Sequence, residues 1–379
     1  MISVEEATHI LQKHVISFGS AIIPIENAFN EILEEDLIAD ADLPPFHRVM
    51  MDGIAIRSED LQKFDIFKIV ATVKAGEQQL QLLNEGEAFE IMTGAMLPSA
   101  ANLVIPYEKI RIENEMAYLE HREFRPFQNV HLQGSDFKKN EVLVSRLTIL
   151  TSAQLGVAAS IGKSEISVKR KPSVLFISTG DELVEISETP LQYQIRKSND
   201  VAVKAILSPF ISTFTALHVK DEKSLLLATL KENENHFDII IFSGGVSKGK
   251  YDFVPEIIES NGYELLFHRI AQKPGKPFLC AKKNNKIIFG LPGNPVSSMI
   301  GCARYILPWL KQSLELDNDV PEVILSEDFS NASPLSHFIP VQLFLNEGKM
   351  EVKKIAVNGS GDFASMDKAS GCLEITSHT

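Results

Sequence analysis

Three loops in the second half of the chain mix glycine, lysine and carboxylate in a way that suits a phosphate ester and a hard cation. They read Ser243-Gly244-Gly245-Val246-Ser247-Lys248-Gly249-Lys250-Tyr251-Asp252, Lys273-Pro274-Gly275-Lys276-Pro277, and Gly290-Leu291-Pro292-Gly293-Asn294-Pro295-Val296-Ser297. A fourth, Ser178-Thr179-Gly180-Asp181-Glu182, precedes them. Glycine lets a backbone approach a phosphate closely, and the free N–H groups of a following helix attract an anion. Lys273 and Lys276 would add fixed positive charge, while Glu182 and Asp252 are oxygen donors of the kind magnesium takes. Each feature alone has a plainer reading. A glycine-rich loop is usually a turn, the lysines could be solvated, and Asp252 could cap the next helix. Their succession along one region favours a phosphate-plus-cation site. No cysteine or histidine nucleophile is evident.

The elements around these loops explain how they could meet. Residues 174–177, 239–242 and 287–289 are short apolar runs of buried-strand character, and 217–219 reads as a further strand. Helical patterns occupy 201–207, 223–231, a stretch opening near Phe253, and 296–310. Strands alternating with helices predict a parallel, doubly wound α/β sheet, with ligands outside the carboxyl ends of its strands. Ahead of it, Ser3 and Glu6 have capping-box spacing, and Ala7, Ile10, Leu11 and Val15 form a helical stripe. A second, acidic helix is expected over 26–36, ended by Pro44-Pro45. Segments 67–73, 88–92, 104–106 and 116–119 read as short strands of a β-rich module, followed by a helix over 151–159 and a boundary at 169–172. After Asp317, short alternating segments (341–345, 349–355) suggest a small β-domain.

A chain of 379 residues, 44% hydrophobic and 23% charged, has apolar material for two or three domains or more. Its net charge of -13 argues against a nucleic-acid partner, although a local basic pocket could still hold a small anion. Cys280, Cys302 and Cys372 lack paired spacing and read as reduced, mostly buried thiols. The N-terminus lacks signal-peptide character and no apolar run approaches the ~18 residues of a membrane span. A soluble, cytoplasmic protein without membrane partners is expected.

Read together, the loops resemble the signature series of the molybdopterin-binding domain, and Thr179-Gly180-Asp181-Glu182-Leu183 and Ile195-Arg196-Lys197-Ser198-Asn199 match it too. Met51-Asp52-Gly53 after Pro45-Phe46, Ile91-Met92-Thr93-Gly94-Ala95 with Pro98, and Gly134-Ser135-Asp136 before Glu141-Val142-Leu143 are similar to further motifs of the molybdopterin molybdenumtransferases, the MoeA and gephyrin E-domain family. Gly359-Ser360-Gly361 resembles that family's C-terminal domain. The chain departs from the pattern in three places. Val49-Met50 replaces Ser-Ala, Ile54 replaces an aromatic residue, and Ser336-His337-Phe338-Ile339-Pro340 lacks arginine.

The resemblance implies a multidomain α/β protein: a segmented N-terminal domain (1–45 and 134–170), a β-rich domain (46–133), a molybdopterin-binding α/β domain (171–313) and a C-terminal β-domain (314–379). It implies insertion of molybdate into molybdopterin adenylate with magnesium-dependent release of AMP. Asp52, Thr93, Asp136, Glu182, Asp221, Asp252, Lys273 and Lys276 would be catalytic, with Glu182 and Asp252 on the metal. Thr179, Gly180, Ser243, Gly244, Gly245, Ser247, Gly249, Pro292, Gly293, Pro295, Ser297 and Ser360 would bind substrate. For Asp221 a helix N-cap, and for Thr93 and Asp136 a turn cap, are the alternatives. Homodimers with shared active sites and an upstream molybdopterin adenylyltransferase are implied partners. Two rivals remain, the adenylyltransferase itself and a non-catalytic scaffold. The Asp52, Thr93 and C-terminal motifs argue against the first, and retention of Asp252 and both lysines against the second.

Overall fold

A computed structural model describes residues 1–80, 84–247, 249, 252–318, 320 and 322–377. Lys248, Lys250 and Tyr251 of the first glycine loop lie outside the described residues. The chain divides into two compact units, one of residues 22–168 and one of residues 1–21 with 169–379.

The larger unit is built on a six-stranded sheet. Strands run in the order Thr213–Val219, Ser173–Thr179, Ile239–Ser243, Lys286–Leu291, Leu279–Lys283, Glu264–His268. The first four are mutually parallel. Two antiparallel strands, which periodicity did not single out, extend the expected parallel sheet at one edge. The central strands are buried on both faces, which is why they read as continuous apolar runs. Helices Lys223–Asn233 and Val254–Ser260 contribute Leu226, Leu230, Ile257 and Ile258 to a core with Leu175, Ile240 and Ile288. The helical region Pro295–Ser313 is one run whose middle turn, Cys302–Ile306, is π-type.

In the same unit Val4–Lys13 is helical with its capping box formed, Ser3 Oγ accepting from Glu6 and Glu6 accepting from the Ser3 N–H. A second sheet pairs Gln272–Lys273 with Ser336–Asn346, and the latter with Lys349–Lys354 and Gly371–Ile375. All three cysteines are free, and Cys280 and Cys302 are buried while Cys372 is exposed.

The smaller unit holds a mixed six-stranded sheet in the order Leu103–Pro106, Gly53–Ile56, Glu87–Ile91, Ile66–Val73, Met116–Leu119, Ile110–Glu113. Its two faces carry separate cores, Ala55, Phe89 and Ile91 on one and Ile54, Phe67 and Ile105 on the other. The expected acidic helix over 26–36 is absent. Only Ile25–Asn27 makes a 3₁₀ turn, Asn30 takes a left-handed conformation (φ 63°), and the chain then pairs as Ile32↔Ile149 and Leu33↔Val168. Ile32 and Leu33 are adjacent and both fully buried, which a one-faced surface helix does not readily accommodate; tertiary pairing overrides the acidic helical composition. The helix expected over 151–159 is present as Ser152–Ser160, behind a Thr151/Gln154 capping box.

Candidate active site

The parallel strands deliver their loops to one edge. Strand Ile239–Ser243 ends in Gly244 and Gly245, and Lys286–Leu291 ends in Pro292 and Gly293. Gly244 has φ +93°, and a Cβ on it would lie 2.5 Å from the Thr179 carbonyl oxygen, so the turn needs glycine for both conformation and space. The two loops and the lysine loop enclose a cavity of about 270 Å³, lined by Gly245, Val246, Ser247, Asp252, Pro277, Pro292, Gly293 and Asn294.

Other residues of the expected site stand behind this lining. Asn199 Nδ2 donates to Ser243 Oγ and to the Gly293 carbonyl, both at 2.9 Å, and so ties two loops together. Asn294 Nδ2 donates to Ser360 Oγ at 2.8 Å, and the Ser360 carbonyl accepts from the Val296 N–H at 3.2 Å, which brings Ser360 to the start of the helix opened by Pro295. Asp252 accepts a short hydrogen bond from the Gly249 N–H. The carboxylate thus braces its own loop rather than the next helix, whose preceding residue is Phe253. Thr179 Oγ1 donates to Asp221, while Glu222 occupies the N-cap position of the helix behind it, so Asp221 is not the cap. The Glu182 carboxylate folds back over Gly180, within 2.7 Å of where a Cβ there would sit. Thr179, Ser243 and Ser297 are buried, so their side chains support the loops from beneath.

Lys273 and Lys276 are exposed, and neither enters an ion pair among the described residues. Lys273 lies beside His337 in the parallel ladder that joins the second sheet. Burial first, and then the Lys273 charge, hold the His337 imidazole below its ordinary range. His337 lies within the 336–340 segment, which lacks the arginine that the family resemblance implies there.

The smaller unit carries its own polar group. Asp52 Oδ1 accepts from both the Thr93 hydroxyl and the Thr93 N–H, each at 2.6 Å. These two bonds hold the Asp52 carboxyl below the usual aspartate range. Thr93 therefore orients a neighbouring carboxylate instead of merely capping its turn. Gly53 follows Asp52 because a Cβ there would lie 2.0 Å from the Ile105 carbonyl oxygen. Asp136 accepts from His131 Nε2 at 2.7 Å, and His131 Nδ1 meets Arg48 Nη2 at 3.0 Å. Arginine can only donate, so the ring carries its proton on Nε2, facing Asp136. Sequence reading missed Arg48 and His131; the local signal was only a histidine five residues before Asp136. Asn199 and Asn294 were quoted within motifs without a role. Their bonds span 44 and 66 residues, respectively, which no spacing rule reports.

Glycine loops gathered at the carboxyl edge of a parallel sheet, with further β-sheets before and after it, define a multidomain α/β protein with its ligand loops in the switch-point position. Residues 2–162 match the family described as MoeA N-terminal region (domain I and II), and residues 175–312 match the probable molybdopterin binding domain. A molybdopterin molybdenumtransferase of Synechocystis sp. is 35% identical over 100% of this chain and 96% of its own. One from Staphylococcus epidermidis is 31% identical over 100% and 92%. The crystal structure of the molybdopterin biosynthesis MoeA protein from Pyrococcus horikoshii superposes with a TM-score of 0.85 at 30% identity, covering 100% of this chain and 95% of that one. The chain belongs to the molybdopterin molybdenumtransferase (MoeA) family, enzymes of molybdenum cofactor biosynthesis. No helix among the described residues is long and apolar enough to cross a membrane.

Proposed function

We propose that the protein inserts molybdate into molybdopterin adenylate, with magnesium-dependent release of AMP, to give the molybdenum cofactor. The observation that carries this reading is the convergence of two glycine loops, the lysine loop and Asp252 on a single cavity. Backbone N–H groups of Gly245, Ser247 and Gly293 hold phosphate oxygens, while Gly244 and Gly249, whose N–H groups donate to the Leu291 carbonyl and to Asp252, shape the loop that presents them. Pro292 and Pro295 stiffen the third loop, and Thr179, Gly180, Ser243, Ser297 and Ser360 keep the loops in register. Lys273 and Lys276, exposed and outside any ion pair among the described residues, neutralise the molybdate or the phosphate.

Asp252 and Glu182 would hold magnesium. Their chemistry fits: both are hard carboxylates, and Asp252 faces the cavity. Groups of three or more acidic, histidine or cysteine ligands are absent among the described residues. That suits an ion that takes one or two carboxylates and fills its octahedron with phosphate oxygens and water. Once bound it supplies charge withdrawal from the phosphoanhydride. Asp221, fixed by Thr179, and Asp52 and Asp136, fixed by Thr93 and His131, are oriented carboxylates suited to positioning water or substrate.

The decisive variant is Asp252→Ala. A carboxylate that serves the developing charge more than the resting ligand should lower single-turnover AMP release by roughly 1000-fold, with adenylate affinity within a few-fold of wild type. Wild-type turnover would remove Asp252 from the reaction. We further propose a cytoplasmic homodimer with shared active sites, supplied with adenylate by a molybdopterin adenylyltransferase, and the four-domain division given above. If sites are shared, a mixed dimer of Asp52→Ala and Asp252→Ala subunits has one site with both lesions and one with neither. Purified by two tags, it should recover about half of wild-type AMP release; a dead mixed dimer refutes sharing.

A further inference from the structure

The two lysines stand on a loop that a buried amide holds from beneath. Gln272 is only 1% exposed. Its Nε2 donates to the Pro274 carbonyl at 3.0 Å and approaches the Gly275 carbonyl at 3.4 Å. Its Oε1 accepts from the Tyr305 hydroxyl. Carbonyls only accept, so the orientation of this amide is fixed by its surroundings. Pro274 and Gly275 are the two residues that separate Lys273 from Lys276. The amide therefore grips the peptide units that set the distance and direction between the two ammonium groups.

Tyr305 reaches this amide from the π-type turn Cys302–Ile306. Such a turn shifts the helical register and re-aims the side chains on it, and it recurs at functional positions. The Tyr305 ring packs against Phe278 at 4.9 Å between centroids, and burial pushes its hydroxyl well above the ordinary tyrosine range, so it stays a donor. The loop fits the amide closely, since a Cβ at position 275 would lie 2.9 Å from Gln272 Nε2. Packing alone does not require this chemistry. A methionine would fill the same volume without the cost of burying an amide and a hydroxyl.

We propose that Gln272 and Tyr305 are positioning residues for the oxyanion lysines, fixing the Pro274-Gly275 bridge and through it the geometry of Lys273 and Lys276. The proposal rests on the reading above that these lysines meet molybdate. It is tested with full-length Gln272→Met, Tyr305→Phe, Lys276→Ala and the Gln272→Met/Lys276→Ala double variant. Molybdate dependence of AMP release is measured beside hydrogen–deuterium exchange of residues 270–278. Gln272→Met removes the amide's bonds to the Pro274 and Gly275 carbonyls and to the Tyr305 hydroxyl, and should raise the half-saturating molybdate concentration roughly tenfold, with turnover at saturation nearly unchanged. Tyr305→Phe should shift it about threefold in the same direction, and serves alone if Gln272→Met does not fold. Exchange should quicken in 270–278 while the core strands keep their protection. The double variant should be worse than Lys276→Ala by much less than the roughly tenfold effect of Gln272→Met alone, because Gln272 acts in part through Lys276.

Wild-type exchange in the loop, or effects that multiply in the double variant, would overturn the positioning role. Faster exchange with a molybdate dependence that neither Gln272→Met nor Lys276→Ala alters would instead overturn the oxyanion reading on which it rests.

Discussion

The carboxylates of residues 22–168 and the loops of residues 169–379 hold their polar groups by opposite means. Asp52 and Asp136 are exposed and are oriented by near neighbours, Asp52 by the hydroxyl and N–H of Thr93 and Asp136 by His131 and Ser135. The cavity of the larger unit is lined largely by backbone and proline, and its supports are buried amides and hydroxyls. A group held by one or two side chains near the surface can be altered in small steps. A cradle made of backbone changes shape only when a residue beneath it changes, and then it changes everywhere at once.

This contrast can be broken or sharpened by substitution. Among substitutions that test the scaffold and its charges, the largest effect is expected at Gly244. Gly244→Ala forces a Cβ toward the Thr179 carbonyl at a positive φ, and should cost about 1–3 kcal/mol of stability in denaturant unfolding. It should also cost ~100-fold in turnover, the scale of a misplacement of about 1 Å in a positioning loop. A near-normal enzyme would mean that the cradle is not the rigid part. Next comes Lys276. Lys276→Ala should raise the half-saturating molybdate concentration at least about tenfold, and Lys276→Arg only about threefold, because charge matters first and the guanidinium fork second. Alanine matching wild type would make the lysine a solvated surface group.

The smallest effect is expected at Thr93. Thr93→Val deletes the hydroxyl bond to Asp52 and leaves the N–H bond, so the Asp52 carboxyl should titrate nearer the ordinary aspartate range. Because its folded-state value is depressed, any stability it lends is present above the ordinary value and is lost as pH falls through the folded one. The variant should lose it at a higher pH than wild type. Carbon-13 NMR of the Asp52 carboxyl across an acid titration reads the shift directly; coincident curves would show that the hydroxyl does not orient the acid.

The sheet was legible in the sequence where strands were buried on both faces, as at Ile239–Ser243 and Lys286–Leu291, because continuous apolar runs need no partner to be recognised. It was illegible at Leu279–Lys283 and Glu264–His268, whose partners lie on an antiparallel edge and whose residues mix apolar with charged. The acidic stretch after Glu26 misled for a related reason: its composition favours a helix, while Ile32 and Leu33 are drawn into pairings more than a hundred residues away. Loop chemistry was readable because glycine and proline announce it locally. The supports of Gln272, Tyr305, Asn199 and His131 were not, since each acts through a bond whose partner the sequence does not mark.

The strand Gln272–Lys273 belongs by hydrogen bonding to the second sheet, although it lies in sequence between strands of the first. The α/β region is therefore not a portable cassette. Cut after the helix that ends at Ser313, an isolated fragment would lose Ser336 and His337 and leave the first lysine on an unpaired edge, exposed to whatever strand it met. Recombination or design that moves this region between proteins has to carry the distant strand with it, or rebuild the lysine loop on new supports.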